Sequence, residues 1–133
     1  MNDRSVEDAL VRDAWRVREA AYAPYSQFRV GAAVRASSGQ NYSGANVENA
    51  SFGLTVCAER AAIFAAISAG ERKLDLLAVV TDAPAVTPPC GACRQVIWEF
   101  AKEGTIVAEN RRGDRRRWKI QELLPEAFDL TGS

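Results

Sequence analysis

The stretch CAERAAIFAAISAGERKLDLLAVVTDAPAVTPPCGACRQ, residues 57–95, decides the fold. Residues 61–67 are apolar on every helical face, so the helix predicted from Cys57 to Ala69 must be buried. The apolar run at 76–80 is typical of a strand covered on both faces, and we predict a strand over 74–81. Pro88-Pro89 then begins a second helix, which runs to about Lys102. A buried helix, a strand and another helix in succession predict helices packed on a sheet.

The rest of the chain adds elements on both sides of this unit. A helix is predicted over residues 5–21, because Leu10, Ala14 and Val17 recur at helical spacing before Pro24. A hairpin should follow it, and two strands and a short helix should come after the second cysteine-bearing helix; these segments are 28–36, 42–47, 105–108, 117–120 and 121–124. The order predicts an α/β protein, a single three-layer α-β-α domain over residues 1–133 with a mixed sheet of about five strands.

Composition and charge restrict the class of partner. The 133 residues contain 17 lysines and arginines and 17 acidic residues, so no net charge attracts nucleic acid or an anionic membrane. The N-terminal residues lack the apolar segment of a secretory signal, and no run approaches the length of a membrane span. We therefore expect a cytoplasmic protein with a small, weakly charged partner and no membrane association.

The chain has three cysteines and no histidine. Cys57, Cys90 and Cys93 stand where two helices begin, and helix N-termini lower thiol pKa values and favour metal binding. Three thiolates can hold Zn²⁺ and leave its fourth position open to water, as in catalytic sites. Glu59, two residues after Cys57, is placed to move protons on a zinc-bound hydroxide, a combination that suits hydrolytic deamination of a nucleobase. Arg60 and the other neighbouring arginine, Arg94, could offset the negative charge of three thiolates.

Alternative interpretations of the cysteines stay open on the residues alone. A closed structural zinc site would have to recruit an aspartate or glutamate as its fourth ligand. The Cys90-Gly91-Ala92-Cys93 segment by itself also fits a redox motif. Cys57 by itself would more often be a small buried apolar residue.

Five arginines lie in the segment Arg111-Arg112-Gly113-Asp114-Arg115-Arg116-Arg117. Arginine neutralises phosphate, so this segment could retain RNA near a site. No cluster of aromatic residues accompanies it, whereas proteins that bind single strands stack bases on such residues. A solvated turn around Gly113-Asp114 is the favoured interpretation, and nucleic acid is an unexpected partner.

Several motifs together resemble the small homo-tetrameric cytidine deaminases that act on free nucleosides. The similarity extends over nearly the whole chain, in the family's order and spacing. The motifs are APYSQFRVGAA at 23–33, GANVENA at 44–50, CAER at 57–60, PCGACRQ at 89–95 and ELLP at 122–125. Three features depart from the usual pattern: Phe52 replaces a tyrosine of the inter-subunit contact, Pro88 replaces a serine, and the segment 111–117 is unusually basic. Pro88 retains the backbone carbonyl that is expected to act at that position.

The resemblance implies a role for each site residue. Cys57, Cys90 and Cys93 would bind one zinc ion per chain. Glu59 would be the general acid and base, and Arg60 would donate hydrogen bonds to the ligand sulfurs. The nucleoside would be held by Phe28 packed on the pyrimidine, by Asn46 and Glu48 on a ribose hydroxyl, and by the backbone N–H of Ala58 on the base carbonyl. Phe128 would complete the pocket of a neighbouring subunit in the homotetramer.

The resemblance also implies a reaction. Free cytidine and 2′-deoxycytidine would be hydrolysed to uridine and 2′-deoxyuridine with release of ammonia, through a zinc-bound hydroxide and a glutamate proton shuttle, in pyrimidine salvage. Deamination of a modified or antibiotic cytosine nucleoside is an alternative, which the ribose motif at 46–49 disfavours. A non-catalytic zinc-containing module that binds RNA is another, which Glu59 disfavours, because a structural site has no use for a free carboxylate.

Overall fold

The structure, a computed structural model, describes residues 3–130. Its elements follow the predicted order: α1 (Asp3–Arg18), β1 (Val30–Ala36), β2 (Asn41–Ala45), α2 (Ala58–Ser68), β3 (Leu74–Thr81), α3 (Gly91–Phe100), β4 (Thr105–Glu109), β5 (Arg115–Lys119) and α4 (Ile120–Leu123). A 3₁₀ turn at Phe52–Leu54 precedes α2. In the described range, no helix is both long and apolar enough to cross a bilayer.

The strands form one mixed sheet in the order β2-β1-β3-β4-β5. β3 and β4 are parallel and are connected through α3, whereas the other neighbouring strands are antiparallel. The pairing of Val30 with Thr81 brings the start of β1 to the carboxyl end of β3. Ligands of open α/β sheets bind at such carboxyl ends. The predicted mixed five-stranded α/β architecture is confirmed.

Helices cover both faces of the sheet, which gives the three predicted layers. On one face, Leu10, Val11 and Ala14 of α1 pack with alternate residues of the central strands. On the other face, α2 and α3 share a second core that includes Ile63, Cys93 and Ile97; this core also contains Val34, Leu77, Val79 and Ile106 from the strands. Because α2 and α3 lie on the same face, their N-termini can converge.

Two glycines allow the helices to approach the sheet closely. A Cβ on Gly31 would lie 2.0 Å from the backbone oxygen of Ala14 in α1. A Cβ on Gly44 would lie 2.5 Å from the backbone nitrogen of Ala62 in α2. Only glycine leaves room for such contacts, so these residues set the depth at which the two helix layers pack.

The basic segment forms the turn and strand of the β4–β5 hairpin. Asn110 accepts hydrogen bonds from the backbone N–H groups of Arg112 and Asp114 at 3.0 and 2.9 Å, which fixes the turn. Arg117 binds both carboxylate oxygens of Glu7 in α1, at 2.7 and 2.6 Å. Arg115 forms ion pairs with Glu7, Asp8 and Glu109. Two of the five arginines therefore attach the hairpin to α1, a role that the predicted solvated turn did not include.

Candidate active site

The three cysteine sulfurs meet at the N-termini of α2 and α3. Cys57 and Cys90 are the N-cap residues of the two helices, and Cys93 lies in the first turn of α3. All three Sγ atoms lie within 4.8 Å of one another, and those of Cys57 and Cys90 are 3.8 Å apart. Cys57 and Cys90 are 33 residues apart in the chain, and α2, β3 and the loop after β3 bring them together.

This cluster fits a zinc ion. In a tetrahedral site with Zn–S bonds of about 2.3 Å, two sulfurs are about 3.8 Å apart, and the Cys57–Cys90 distance agrees. Among the described residues, Cys57, Cys90 and Cys93 are the set whose possible ligand atoms lie close enough together to bind one metal ion. Three thiolates are a complete protein ligand set for a catalytic zinc site with one open position.

The pKa values of the Cys57 and Cys93 thiols are shifted in opposite directions. Hydrogen bonding from Cys93 and the Arg60 guanidinium lowers the pKa of Cys57 to about 5, whereas the same contact with Cys57 raises the pKa of Cys93. The Arg60 Nη2 atom lies 3.5 Å from the Cys57 sulfur. A thiolate is the form that binds metal, so Arg60 stabilises the charge that binding requires.

Arg94 has different contacts from Arg60. Its Nε donates to the backbone oxygen of Pro89 at 2.8 Å, and its Nη1 donates to that of Leu123 at 3.1 Å. Arg94 thus connects the loop before Cys90 to α4. Of the two arginines expected to offset the thiolate charge, Arg60 contacts a ligand sulfur, whereas the Arg94 side chain binds backbone carbonyls.

Glu59 is buried beside the sulfurs, with 5% of its surface exposed. Burial, together with the charge of the Cys57 thiolate, raises the pKa of Glu59 to about 7. Within residues 3–130 Glu59 forms no ion pair with an arginine or lysine, although the positive charge of Arg60 acts to lower its pKa. A carboxyl group with a pKa near neutrality can both take up and release a proton.

A cavity of about 260 Å³ opens onto Cys57, Cys90 and Glu59. Its walls contain five of the predicted nucleoside-binding or catalytic residues: Phe28, Asn46, Glu48, Ala58 and Glu59. Pro88, whose backbone carbonyl was expected to act at the site, also lines the cavity. The lining further contains residues that the sequence analysis did not select: Ser26, Val30, Thr55, Val79, Thr81 and Thr87. Thr81 could have been suspected because it ends a buried strand, and Ser26 because it lies in the turn before Phe28.

The two polar residues predicted at the ribose already hold the chain around Phe28. The Asn46 amide donates to the Phe28 carbonyl at 2.8 Å and accepts from the Val30 N–H at 2.9 Å. Glu48 accepts from the N–H groups of Tyr25 and Ser26 at 3.0 and 3.1 Å. Neither residue is an ordinary turn or strand-end group, and both line the cavity.

Phe128 does not line the cavity of its own chain, in the part that the structure describes. Its side chain is 69% exposed. The Gln95 side chain binds its backbone in both directions, donating to the Phe128 carbonyl at 2.9 Å and accepting from the Phe128 N–H at 3.2 Å. The structure therefore fixes the position of Phe128 outside the cavity.

Comparison with known proteins decides what kind of centre this is. Residues 4–109 match the family model described as the cytidine and deoxycytidylate deaminase zinc-binding region. The chain belongs to the cytidine and deoxycytidylate deaminase family. The predicted resemblance is confirmed, and with it a zinc-dependent, hydrolytic enzyme whose three cysteines cluster as a metal site.

Relatives in this deaminase family are similar along most of their length. A cytidine deaminase of Halalkalibacterium halodurans is 49% identical over 120 residues, covering 90% of this chain and 91% of the relative. A cytidine deaminase of Mycobacterium tuberculosis is 42% identical over 118 residues, covering 89% and 86%. The crystal structure of cytidine deaminase from Burkholderia pseudomallei superposes with a TM-score of 0.89 at 45% identity, covering 96% of this chain and 100% of that one.

Proposed function

We propose that this deaminase converts free cytidine and 2′-deoxycytidine to uridine and 2′-deoxyuridine with release of ammonia, as a cytoplasmic enzyme of pyrimidine salvage. We also propose that residues 1–133 act as one domain. The observation that carries the substrate proposal is that Glu59, Cys57 and Cys90 line the same cavity as Phe28, Asn46 and Glu48. The cavity therefore combines groups with the chemistry for deamination and groups suited to a base and a sugar.

The size and lining of the cavity favour a single nucleoside. At about 260 Å³ it is near the lower end of small-molecule sites. Phe28 and Val79 offer apolar contact to a pyrimidine ring, and the first helical turn of α2 presents the backbone N–H of Ala58. This N–H could donate to the base carbonyl, which would orient the exocyclic amino group toward the cysteines.

Asn46 and Glu48, the residues proposed to bind the sugar, keep hydrogen-bond positions that the protein itself does not use. Asn46 uses one of its two amide hydrogens on Phe28, so one remains. The Glu48 carboxylate accepts two backbone hydrogen bonds on Oε1 and one from the Ser26 hydroxyl on Oε2, so Oε2 keeps one acceptor position for a ligand. A secondary hydroxyl that accepts from Asn46 and donates to Glu48 would satisfy both residues.

Cys57, Cys90 and Cys93 would hold the zinc ion, which would act as a Lewis acid toward the attacking water. Glu59 is the proton shuttle in this proposal. It would take one proton from the attacking water and deliver it to the ring nitrogen of the pyrimidine. It would then take the second proton from the new hydroxyl on the ring carbon and deliver it to the amino group, which leaves as ammonia. Its pKa of about 7 suits both directions of transfer. Arg60 supports the reaction by holding the Cys57 thiolate.

We further propose a homotetramer whose neighbouring subunits complete each pocket. Large apolar side chains are exposed on the described chain; they are Tyr22, Tyr25, Phe28, Val47, Phe52, Leu54, Phe64, Phe128 and Leu130. Tyr25 and Phe52 among them are in edge-to-face contact, and contiguous exposed apolar surface is typical of an interface with another protein. Phe128, held in place by Gln95, would enter the pocket of a neighbouring subunit. The mass of the protein in solution, measured by light scattering, tests this assembly.

A substrate comparison tests the proposed function. Purified protein with its zinc quantified is mixed separately with cytidine, 2′-deoxycytidine and a cytosine-containing RNA oligonucleotide, and the loss of cytosine absorbance is followed. We expect turnover of both nucleosides and none of the oligonucleotide. A variant with Arg111 and Arg112 changed to alanine is the control for the basic segment and should match the wild type. Inactivity on both nucleosides with zinc bound would overturn the proposal and direct the search to modified cytosine nucleosides.

A further inference from the structure

The turn before Phe28 is held by one carboxylate. Glu48 Oε1 accepts from the backbone N–H groups of Tyr25 and Ser26, and Glu48 Oε2 accepts from the Ser26 hydroxyl. The Ser26 hydroxyl and the two N–H groups hold the pKa of Glu48 below its usual range. An ionised carboxylate only accepts hydrogen bonds, so all three groups of the turn donate to Glu48. These three bonds hold the turn against Glu48 in the cavity wall.

The Ser26 hydroxyl also reaches the residue that faces the substrate. While it donates to Glu48, its oxygen accepts from the backbone N–H of Phe28 at 3.0 Å. A single hydroxyl thus connects Glu48 to Phe28, and all three residues line the same cavity. These hydrogen bonds connect Glu48, a proposed sugar-binding residue, to the backbone of Phe28.

The backbone between Ser26 and Phe28 needs such support. Gln27 has a φ of 60°, a left-handed conformation that costs free energy for a residue with a side chain. Its N–H donates to the Ala23 carbonyl at 3.0 Å, which closes the turn on one side. The Ser26–Phe28 hydrogen bond spans the strained residue on the other side. Loss of this bond would free Gln27 to relax and Phe28 to move.

On the far side, Asn46 holds the Phe28 carbonyl, so Phe28 is fixed at both its N–H and its carbonyl group. From this geometry we infer that Ser26 is a positioning residue for substrate binding, which sets the place of Phe28 and the orientation of Glu48 through its hydroxyl. The inference rests on the proposed function, since it concerns the nucleoside that Phe28 and Glu48 would bind.

The consequence for kinetics is specific. Phe28 and Glu48 would contact the base and the sugar equally in the ground state and the transition state, so a misplaced pair weakens both equally. Ser26→Ala should therefore raise KM for cytidine about tenfold and leave kcat within about twofold. Ser26→Thr keeps the hydroxyl and should restore KM to near the wild-type value.

Ser37→Ala is the matched control. The Ser37 hydroxyl also donates to a carboxylate, that of Asp75 at 2.8 Å, in an exposed position outside the cavity. Ser37→Ala removes the same kind of hydrogen bond and leaves the turn before Phe28 unchanged. We expect wild-type KM and kcat from this variant.

The experiment combines steady-state kinetics with amide hydrogen exchange of zinc-loaded protein, free of substrate. We expect Ser26→Ala to raise KM and to speed exchange of the Phe28 amide, while Ser26→Thr and Ser37→Ala change neither. Raised KM with unchanged exchange, or faster exchange with unchanged KM, would each overturn the positioning role. An active wild type with an unaffected Ser26→Ala variant refutes this inference alone, whereas a wild type inactive on both nucleosides refutes the proposed function and this inference with it.

Discussion

Glu59 and Glu7 are both buried glutamates, with 5% and 7% of their surface exposed, but their surroundings are opposite. Glu7 in α1 accepts three hydrogen bonds from Arg115 and Arg117. The hydrogen bond from Arg117, with support from Arg115, lowers the pKa of Glu7. Glu59 lies beside the cysteine cluster, and burial raises its pKa to about 7.

The difference separates a structural carboxylate from a chemical one. A buried charge that is paired on both oxygens joins two elements of the fold and has no freedom to exchange a proton near neutral pH. A buried carboxyl group without a cationic partner is costly to ionise, and it is found where proton transfer is needed. Burial alone therefore does not identify a functional glutamate, whereas its partners do.

The largest effect that tests this comparison is expected from Glu59→Gln. Glutamine has nearly the same shape but cannot carry the proton, so turnover should fall by about 10²–10⁴-fold. Bound zinc and the melting temperature should stay at the wild-type values, because Glu59 is not a proposed ligand. Metal analysis and thermal unfolding check this alongside the rate, and near-normal turnover would refute the assigned role.

The next effect concerns the charge beside the thiolate. Arg60→Ala removes the guanidinium that contacts Cys57 and helps to lower its pKa. We expect activity per enzyme to fall by about ten- to a hundredfold, since groups that support metal ligands have effects of this size. Steady-state rates and zinc content measure it. If both are unchanged, another group offsets the negative charge of the cluster.

Glu7→Gln should do the reverse of Glu59→Gln. The change leaves Arg115 and Arg117 without their shared carboxylate, and both arginines retain partial access to water. The free energy of unfolding should therefore decrease by about 1–3 kcal/mol, below the cost of breaking a fully buried pair. Urea unfolding measures it, and kcat should be unchanged. Loss of activity in a folded Glu7→Gln enzyme would break the division between the two glutamates.

The smallest effect is on the acid dependence of stability. A carboxyl group whose folded-state pKa lies below its unfolded value of 4.5 stabilises the fold above that pH, and this contribution is lost as pH falls through the folded pKa. Unfolding free energies at about pH 7 and about pH 3.5 should therefore differ more in the wild type than in Glu7→Gln. Equal differences in the two proteins would mean that Glu7 is not the group responsible.

Local patterns predicted the elements well because helix and strand periods and turn residues lie close together in the chain. The cysteine-bearing helices and the buried strand β3 were found with their order and approximate ends. The first strand was predicted from Phe28 but begins at Val30, because Gln27 is left-handed and Asn46 holds the backbone of Phe28. The second cysteine-bearing helix begins at Gly91, since Cys90 is its N-cap.

Contacts between distant residues could not be predicted in this way. Arg117 and Glu7 are 110 residues apart, and nothing in the spacing of the basic segment indicates their pairing. The hydroxyl of Ser26 likewise depends on Glu48, 22 residues away. The cysteine cluster was predictable across a similar separation because the chemistry of zinc limits the ligand set to few residue types.

The most direct test of the account is the initial rate of cytidine deamination by Glu59→Gln and Glu7→Gln, measured side by side and divided by bound zinc. Both variants replace one buried glutamate with glutamine, so the comparison isolates the surroundings of each carboxylate. The account predicts that Glu7→Gln deaminates cytidine at the wild-type rate and that Glu59→Gln is slower by about 10²–10⁴-fold. Similar rates in the two variants would contradict it.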